Sequence, residues 1–228
     1  MAVTLGPITF DEAYTSVAEK LEEVGGRNER TITLSGMIAG HNTVAAIESD
    51  IDDILDAASV EDYTAELSLR AGRRLWVRRN EFTREVKAES LVGAFTLELA
   101  AKDAFEESSA LTTVNWTITA SGQTQAASSS GSVYAKPKFS LVATGTIIDP
   151  AFSDGTRTLS FSGTVADTET LVFDAVTSAA TLEGTDVTPY TSGLFPQVDP
   201  AGTTLTYTDD AGSSHTAQVT VTYRDRYW

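Results

Sequence analysis

Residues 138–148 read KFSLVATGTII, 156–164 read TRTLSFSGT and 169–174 read ETLVFD, short apolar and Thr-rich runs closed by Gly, Asp and Pro. β-Branched and aromatic residues suit a pleated, half-buried surface, while Gly, Pro and Asp punctuate it. The pattern continues on both sides. Further candidate strands span 112–120, 123–129, 179–182, 203–208 and 216–223, with no helix among them. Seven or eight short strands at that spacing predict a β-sandwich. Trp116, flanked by Val114 and Ile118, is expected in its core. The polar stretch 121–131, SGQTQAASSSG, reads as a mobile hairpin end.

Upstream the composition changes. Residues 1–110 hold 11 basic and 21 acidic residues, whereas 111–228 hold 5 and 11 and are rich in Thr, Ser, Val and Gly. The shift places a boundary near Glu107–Leu111 and predicts two domains, 1–110 and 111–228. Within the first, Phe10, Tyr14, Val17, Ala18, Leu21 and Val24 recur at helical spacing, with Asp11 and Glu12 at the start and Gly25-Gly26 to end it. TITLSGMIAG (31–40) alternates as a strand with Ile32, Leu34 and Met37 on or near the buried side. Asn42 or Thr43 caps a second helix with the apolar stripe Val44, Ile47, Ile51, Ile54, Leu55 and Ala58. Strands are then expected over 63–69, 75–79, 82–88 and 94–101, with turns at Ala71-Gly72 and Asn80. The product is a sheet with a helix laid across it, and the fold class is mainly β.

The whole chain carries 16 Lys+Arg against 32 Asp+Glu, a formal net charge of −16. Phosphate binding is largely neutralisation by Lys and Arg, so specific binding of DNA, RNA or an acidic membrane through a broad basic face is not expected. Cysteine is absent, which removes disulfides, thiolate metal sites and Cys nucleophiles together. The opening MAVTLGPITFDEAY has neither the basic nor the apolar region of a signal peptide, and no run approaches a membrane span. Synthesis and folding in a cytoplasm, without membrane insertion, are therefore expected.

Candidate chemistry is sparse. The two histidines, His41 and His215, sit outside any metal or nucleophile motif and read as surface residues. Glu48, Asp50, Asp52, Asp53 and Asp56 could suggest a calcium loop. They lack the central Gly and terminal Glu of an EF-hand, and the period of the intervening Ile and Leu puts them on a solvated helix face. Trp76 and Trp228 are candidates for sugar stacking if exposed. Arg70, Arg73, Arg74, Arg78, Arg79, Arg84 and Lys87 form the one basic cluster; their alternation with Glu81, Glu85 and Glu89 suits a salt-bridged subunit contact better than a phosphate site. No cofactor, metal ion or enzymatic activity is expected.

The order of motifs in the second half closely resembles the C-terminal domain of siphovirus distal tail proteins. The resemblance rests on Ala135-Lys136-Pro137, the GTIIDP of 145–150, the strand 169–174 ending in Asp, the Leu194-Phe195-Pro196 approach to Pro200 and Gly202, and the aromatic-basic end RDRYW. The strand, Gly, capped helix and sheet of the first half are similar to the fold these proteins share with tail-tube proteins. The resemblance implies an N-terminal tail-tube-like β-sandwich with a flanking helix and a C-terminal galectin-like β-sandwich. It further implies a homohexameric ring in the virion tail tip, assembled in the host cytoplasm, that joins the tail-tube protein to the tail-tip hub protein and leaves a channel for DNA. Tape-measure or receptor-binding proteins are the other partners it suggests. On this reading the basic cluster makes subunit contacts, and Glu48, Asp50, Asp52, Asp53 and Asp56 line the lumen or form an acidic face. Three other readings compete: a tail-tube protein with an appended sandwich, a glycan-binding module for host attachment, and a carboxylate glycosidase.

Overall fold

The structure, a computed structural model, describes residues 2–24 and 27–228. The chain divides into two compact units, Met1–Ser109 with Trp228, and Ala110–Tyr227. Both are mainly β.

The first unit contains β1 (Val3–Leu5), β2 (Ile8–Phe10), β3 (Thr15–Val24), β4 (Arg27–Ile38), α1 (Val44–Asp56), β5 (Ala65–Ser68), β6 (Arg73–Lys87), β7 (Val92–Ala101) and β8 (Glu106–Ser108). Antiparallel pairing gives the order β2-β1-β5-β6-β7-β4-β3, and β8 pairs with the start of β6. Period two decides the faces. Phe95, Leu97 and Leu99 of β7 are buried with Ile32 and Leu34 of β4, while Thr96 and Glu98 point the other way.

Helix α1 packs on the buried face. Thr43 caps it, its Oγ1 accepting from the Ala46 N–H at 3.2 Å. Ile47, Ile51 and Ile54 are the buried stripe. Their approach requires Gly93, where a Cβ would lie 2.6 Å from Ile47 Cγ2 and 3.0 Å from Ile51 Cδ1.

Three expectations for this unit are corrected. The residues expected to form a first helix are instead the end of β2 and the strand β3, which pairs with β4 from Thr15↔Gly36 to Val24↔Arg27. Helices in proteins are held chiefly by burial of an apolar face; Tyr14, Val17 and Leu21 are exposed, so the backbone ladder offered by β4 prevails over helical spacing. The expected stop at Gly25-Gly26 lies outside the described residues. Met37 is 51% exposed, because the phase that buries Ile32 and Leu34 turns it to the opposite face. Asn80 is no turn. β6 runs straight through it, and the register with β7 slips from Arg79↔Leu99 to Glu81↔Glu98, a β-bulge.

The second unit contains β9 (Thr112–Ile118), β10 (Thr124–Ala127), β11 (Lys138–Ala143), β12 (Ile147–Ile148), β13 (Ala151–Ser153), β14 (Thr158–Phe161), β15 (Thr164–Val165), β16 (Thr170–Asp174), β17 (Ala179–Leu182), β18 (Thr185–Asp186), β19 (Thr191–Gly193), β20 (Thr203–Thr208) and β21 (Ala217–Tyr223). One sheet has the order β18-β17-β16-β11-β21-β9 and the other β10-β20-β13-β14-β19; β12 and β15 form a separate pair. Aromatic rings join the two sheets: Phe139 stacks on Phe152 at 4.6 Å between centroids, and Phe152 meets Phe173 edge-on at 5.9 Å. Trp116 is buried beside Phe152 and Tyr207, as its alternation predicts.

The stretch expected to be a mobile hairpin end is tied down. Residues 124–127 are β10, paired with β20, and Ser129 Oγ and the Ser130 N–H both donate to Asp225 Oδ1, at 2.8 and 3.1 Å. Polar composition here serves hydrogen bonds to a residue distant in sequence, Asp225, which anchor the stretch.

Candidate functional site

The first unit leaves sheet edges open. β3 ends the strand order, so along its ten residues one side of the backbone ladder has no partner strand among the described residues. β6 is open along part of its length: β5 pairs with Leu75–Val77 and β8 with Arg73 and Arg74, whereas Glu81–Lys87 pair only with β7 among the described residues. The four-stranded stretch β6-β7-β4-β3 is thus bounded on both sides by unpaired N–H and C=O groups, which act as a template for another chain.

The face of this stretch away from α1 is mainly polar, rich in small hydroxyl side chains, with Met37 its exposed apolar exception. The register aligns Ser16, Ser35, Thr96 and Thr83 in one row across the four strands, and Ser35 Oγ and Thr96 Oγ1 are 3.3 Å apart. The next row is Ala18, Thr33, Glu98 and Glu81, which places two carboxylates directly opposite one another. Glu98 also accepts from Asn80 Nδ2 at 3.3 Å. Glu48, Asp50, Asp52, Asp53 and Asp56 belong to α1, on the other side of the sheet from this hydroxyl-rich face.

The basic cluster is largely engaged within its own unit. Glu106, 1% exposed, accepts from Arg70, from Arg73 Nη1 at 3.3 Å and from Arg30 Nη2 at 3.4 Å. Arg30, 6% exposed, also bonds Glu19 and donates from Nη1 to the Ala104 carbonyl at 3.1 Å. Burial works against the Arg70 charge, but Glu106 and Glu19 outweigh it and raise its pKa above the ordinary value. Arg74 bridges Glu66 at 3.2 Å and Glu107 at 3.7 Å and lies over the half-buried Trp76 ring. Arg78 donates to the Val60 carbonyl and lies over Tyr63, and Arg79 donates to the Leu55 carbonyl at the end of α1. Arg84 pairs with Asp52 at 2.7 Å and Lys87 with Glu85 at 3.7 Å, both pairs well exposed.

Sequence reasoning missed Glu19, Arg30 and Glu106. Arg30 was within reach, since it shares the phase of Ile32 and Leu34 and so falls on the buried face. Glu106 carries no such signal.

Both histidines sit beside carboxylates: His41 Nε2 is 2.7 Å from Asp50 Oδ2, and His215 Nδ1 is 2.8 Å from Asp209 Oδ1. Asp209 also accepts from the buried Tyr207 hydroxyl at 2.9 Å; burial, with that carboxylate beside it, pushes the Tyr207 pKa far up and keeps the phenol neutral. No group of three or more His, Cys, Asp or Glu side chains poised for a metal ion occurs among the described residues, and no helix is long and apolar enough to cross a membrane. Trp228, partly exposed, meets Phe105 edge-on at 4.5 Å.

Comparison with solved structures finds the Dit protein of phage SPP1, described as a paradigm of the hub adsorption apparatus in phages that infect Gram-positive bacteria. The match covers 100% of this chain and 99% of that one, at a TM-score of 0.66 and 12% sequence identity. The chain has the fold of a siphophage distal tail protein. No protein-family model matches it, and no curated protein does. The likeness extends over both units of the chain.

Proposed function

We propose that the chain is a structural virion protein of a siphophage tail tip, a distal tail protein that forms a hexameric ring between the tail tube and the tail-tip hub. The observation that carries this reading is fold likeness to the SPP1 protein over the full length of both chains. The two open edges support it. An unpaired β3 on one side and an unpaired Glu81–Lys87 run on the other are the complementary halves of a head-to-tail contact, which closes on itself when the rotation between copies is right. Antiparallel addition of β3 to the neighbour's β6 continues the alternation of strand direction and leaves no edge exposed.

In that ring the hydroxyl-rich face, with Glu81 and Glu98, fronts the channel, and its small side chains and negative charge let a polyanion pass without retention. The acids of α1 then form an acidic face on the other side of the sheet. Of the basic residues, Arg84 and Lys87 lie on the open run of β6 and meet the acids of the neighbour's β3, while Arg70, Arg73, Arg74, Arg78 and Arg79 hold their own unit together. The role is architectural and calls for no catalytic group or cofactor. Partners on this reading are the tail-tube protein, the hub protein and further tail components of the virion, with assembly in the host cytoplasm.

Native mass spectrometry with negative-stain imaging tests the proposal. A sixfold ring with an open centre is expected, and the charge reversals Arg84→Glu and Lys87→Glu together should shift it toward smaller species, with the difference from wild type narrowing at high salt as the repulsion is screened. A uniform monomer at every concentration tried, or saturable sugar binding by a monomer, overturns the reading; long tubes would assign the chain to the tail tube instead.

A further inference from the structure

Beside the short terminal strand β2 the first unit opens into a groove of about 420 Å³. Its floor is apolar: Phe10 and Ile54 are buried there together with Phe95, whose ring meets Phe10 at 5.8 Å. Tyr14 and Met37 stand on the rim, each 51% exposed. The wall contributed by α1 carries Asp50 and Asp53, with His41 hydrogen-bonded to Asp50. β2 itself also lines the groove, an end strand that among the described residues pairs with β1 on one side and with no strand on the other. Alternate residues of such a strand direct their N–H and C=O groups outward, away from β1.

These features together call for one kind of guest. A bare apolar slot would take any greasy group, but an edge strand supplies main-chain donors and acceptors that only another extended backbone matches along its length. Two aspartates on the α1 wall favour cationic side chains, and the apolar floor favours an aliphatic or aromatic one between them. Alternation along a strand delivers both. We propose that this groove docks an extended segment of a different protein in which basic and apolar residues alternate, added as a strand to the free edge of β2. A second copy of this chain is a poor candidate, because most of its basic cluster is already paired within its own unit. The inference stands on the groove alone and does not rest on ring formation.

The test uses the full chain and a fluorescein-labelled, acetylated seven-residue peptide alternating lysine and valine, read by fluorescence anisotropy. Three controls accompany it: the same peptide N-methylated at alternate amides, its glutamate-for-lysine counterpart, and light scattering to follow the size of the protein. Asp53→Lys should weaken binding at least tenfold, whereas Asp56→Lys, an equal change of charge on α1 outside the groove, should leave it within twofold. N-methylation should cost at least tenfold and the glutamate peptide should not bind. Equal affinity for the N-methylated peptide would reduce the interaction to bulk charge and overturn the proposal, as would equal losses in the two variants or the absence of saturable binding. A change in particle size with Asp53→Lys while peptide affinity stays intact would assign the groove to a contact between copies, and also overturns it.

Discussion

Glu106→Ala removes the centre of the charge cluster in the first unit. Glu106 is 1% exposed and holds Arg70, Arg73 and Arg30; of these Arg30 is itself 6% exposed and cannot turn to solvent. Its remaining partners are Glu19 and the Ala104 carbonyl. Deleting one member of a buried ionic cluster costs about 3–5 kcal/mol; Arg30 keeps Glu19, but that carboxylate is part-exposed and shared with Arg70, so the buried guanidinium is left under-compensated. For a unit of roughly a hundred residues each kcal/mol lowers the midpoint by about 4 °C, so the transition of this unit should fall by about 12–20 °C in scanning calorimetry. Buried pairs are screened little by salt, and the difference should persist in 1 M NaCl. Replacing the cluster by apolar groups differs from breaking it, so Arg30→Met on the Glu106→Ala background should recover a large part of the loss. A loss under about 1 kcal/mol, or a double variant no better than the single, refutes the reasoning.

Gly93→Ala should cost about 1–3 kcal/mol, because the new methyl sits inside the contact distance of Ile47 and Ile51 and must push α1 off the sheet; loss of helical signal in circular dichroism before global unfolding is the readout. Thr43→Ala should cost about 1 kcal/mol through the lost cap, measured by urea titration. Asp154 is buried, which alone would raise its pKa, but the N–H groups of Arg157, Gln197 and Thr156 and the Arg157 guanidinium outweigh burial and hold it below the ordinary carboxylate value. A depressed folded-state pKa contributes stability that is present above the unfolded-state value and lost as pH falls through the folded one. Wild type should therefore exceed Asp154→Asn by about 2 kcal/mol at neutral pH, with the gap closing as pH drops below about 4; a gap independent of pH counts against it. Asp52→Ala, by contrast, should change stability by less than about 1 kcal/mol, since its pair with Arg84 is exposed on both sides.

The strands of the second unit were legible because its side chains alternate and its turns carry Gly, Pro and Asp; Trp116 was placed correctly by its neighbours alone. α1 was legible for a similar reason, as Ile47, Ile51 and Ile54 share a helical face. β3 was misread because its helical spacing is a coincidence of residues that are mostly exposed, and only the partner strand β4, distant from it in composition, fixes the backbone. The open edges, the row of hydroxyls across four strands and the groove beside β2 exist only through register between strands, which single-strand periodicity does not carry. The basic cluster was visible as composition, but its partners Glu19 and Glu106 come from far along the chain and were not.

The bulge at Asn80 has a consequence for how this chain can vary in length. Val77 and Arg79 face the helix side of the sheet before it, whereas Phe82, Arg84 and Val86 do so after it, so odd positions hand over to even ones at that residue. Asn80 is the residue without a place in the register, so its loss alone would leave Arg79 and Glu81 as ordinary neighbours opposite Leu99 and Glu98, and Phe82, Arg84 and Val86 would keep the helix side. Loss of one residue from the regular run 82–87 instead turns every side chain beyond it to the wrong face unless the bulge takes up the change. Asn80 is thus the slack in β6, the one place where the strand can lose a single residue without inverting its surface. Single-residue length changes in this strand should fall at the bulge, and changes elsewhere in it should come in twos.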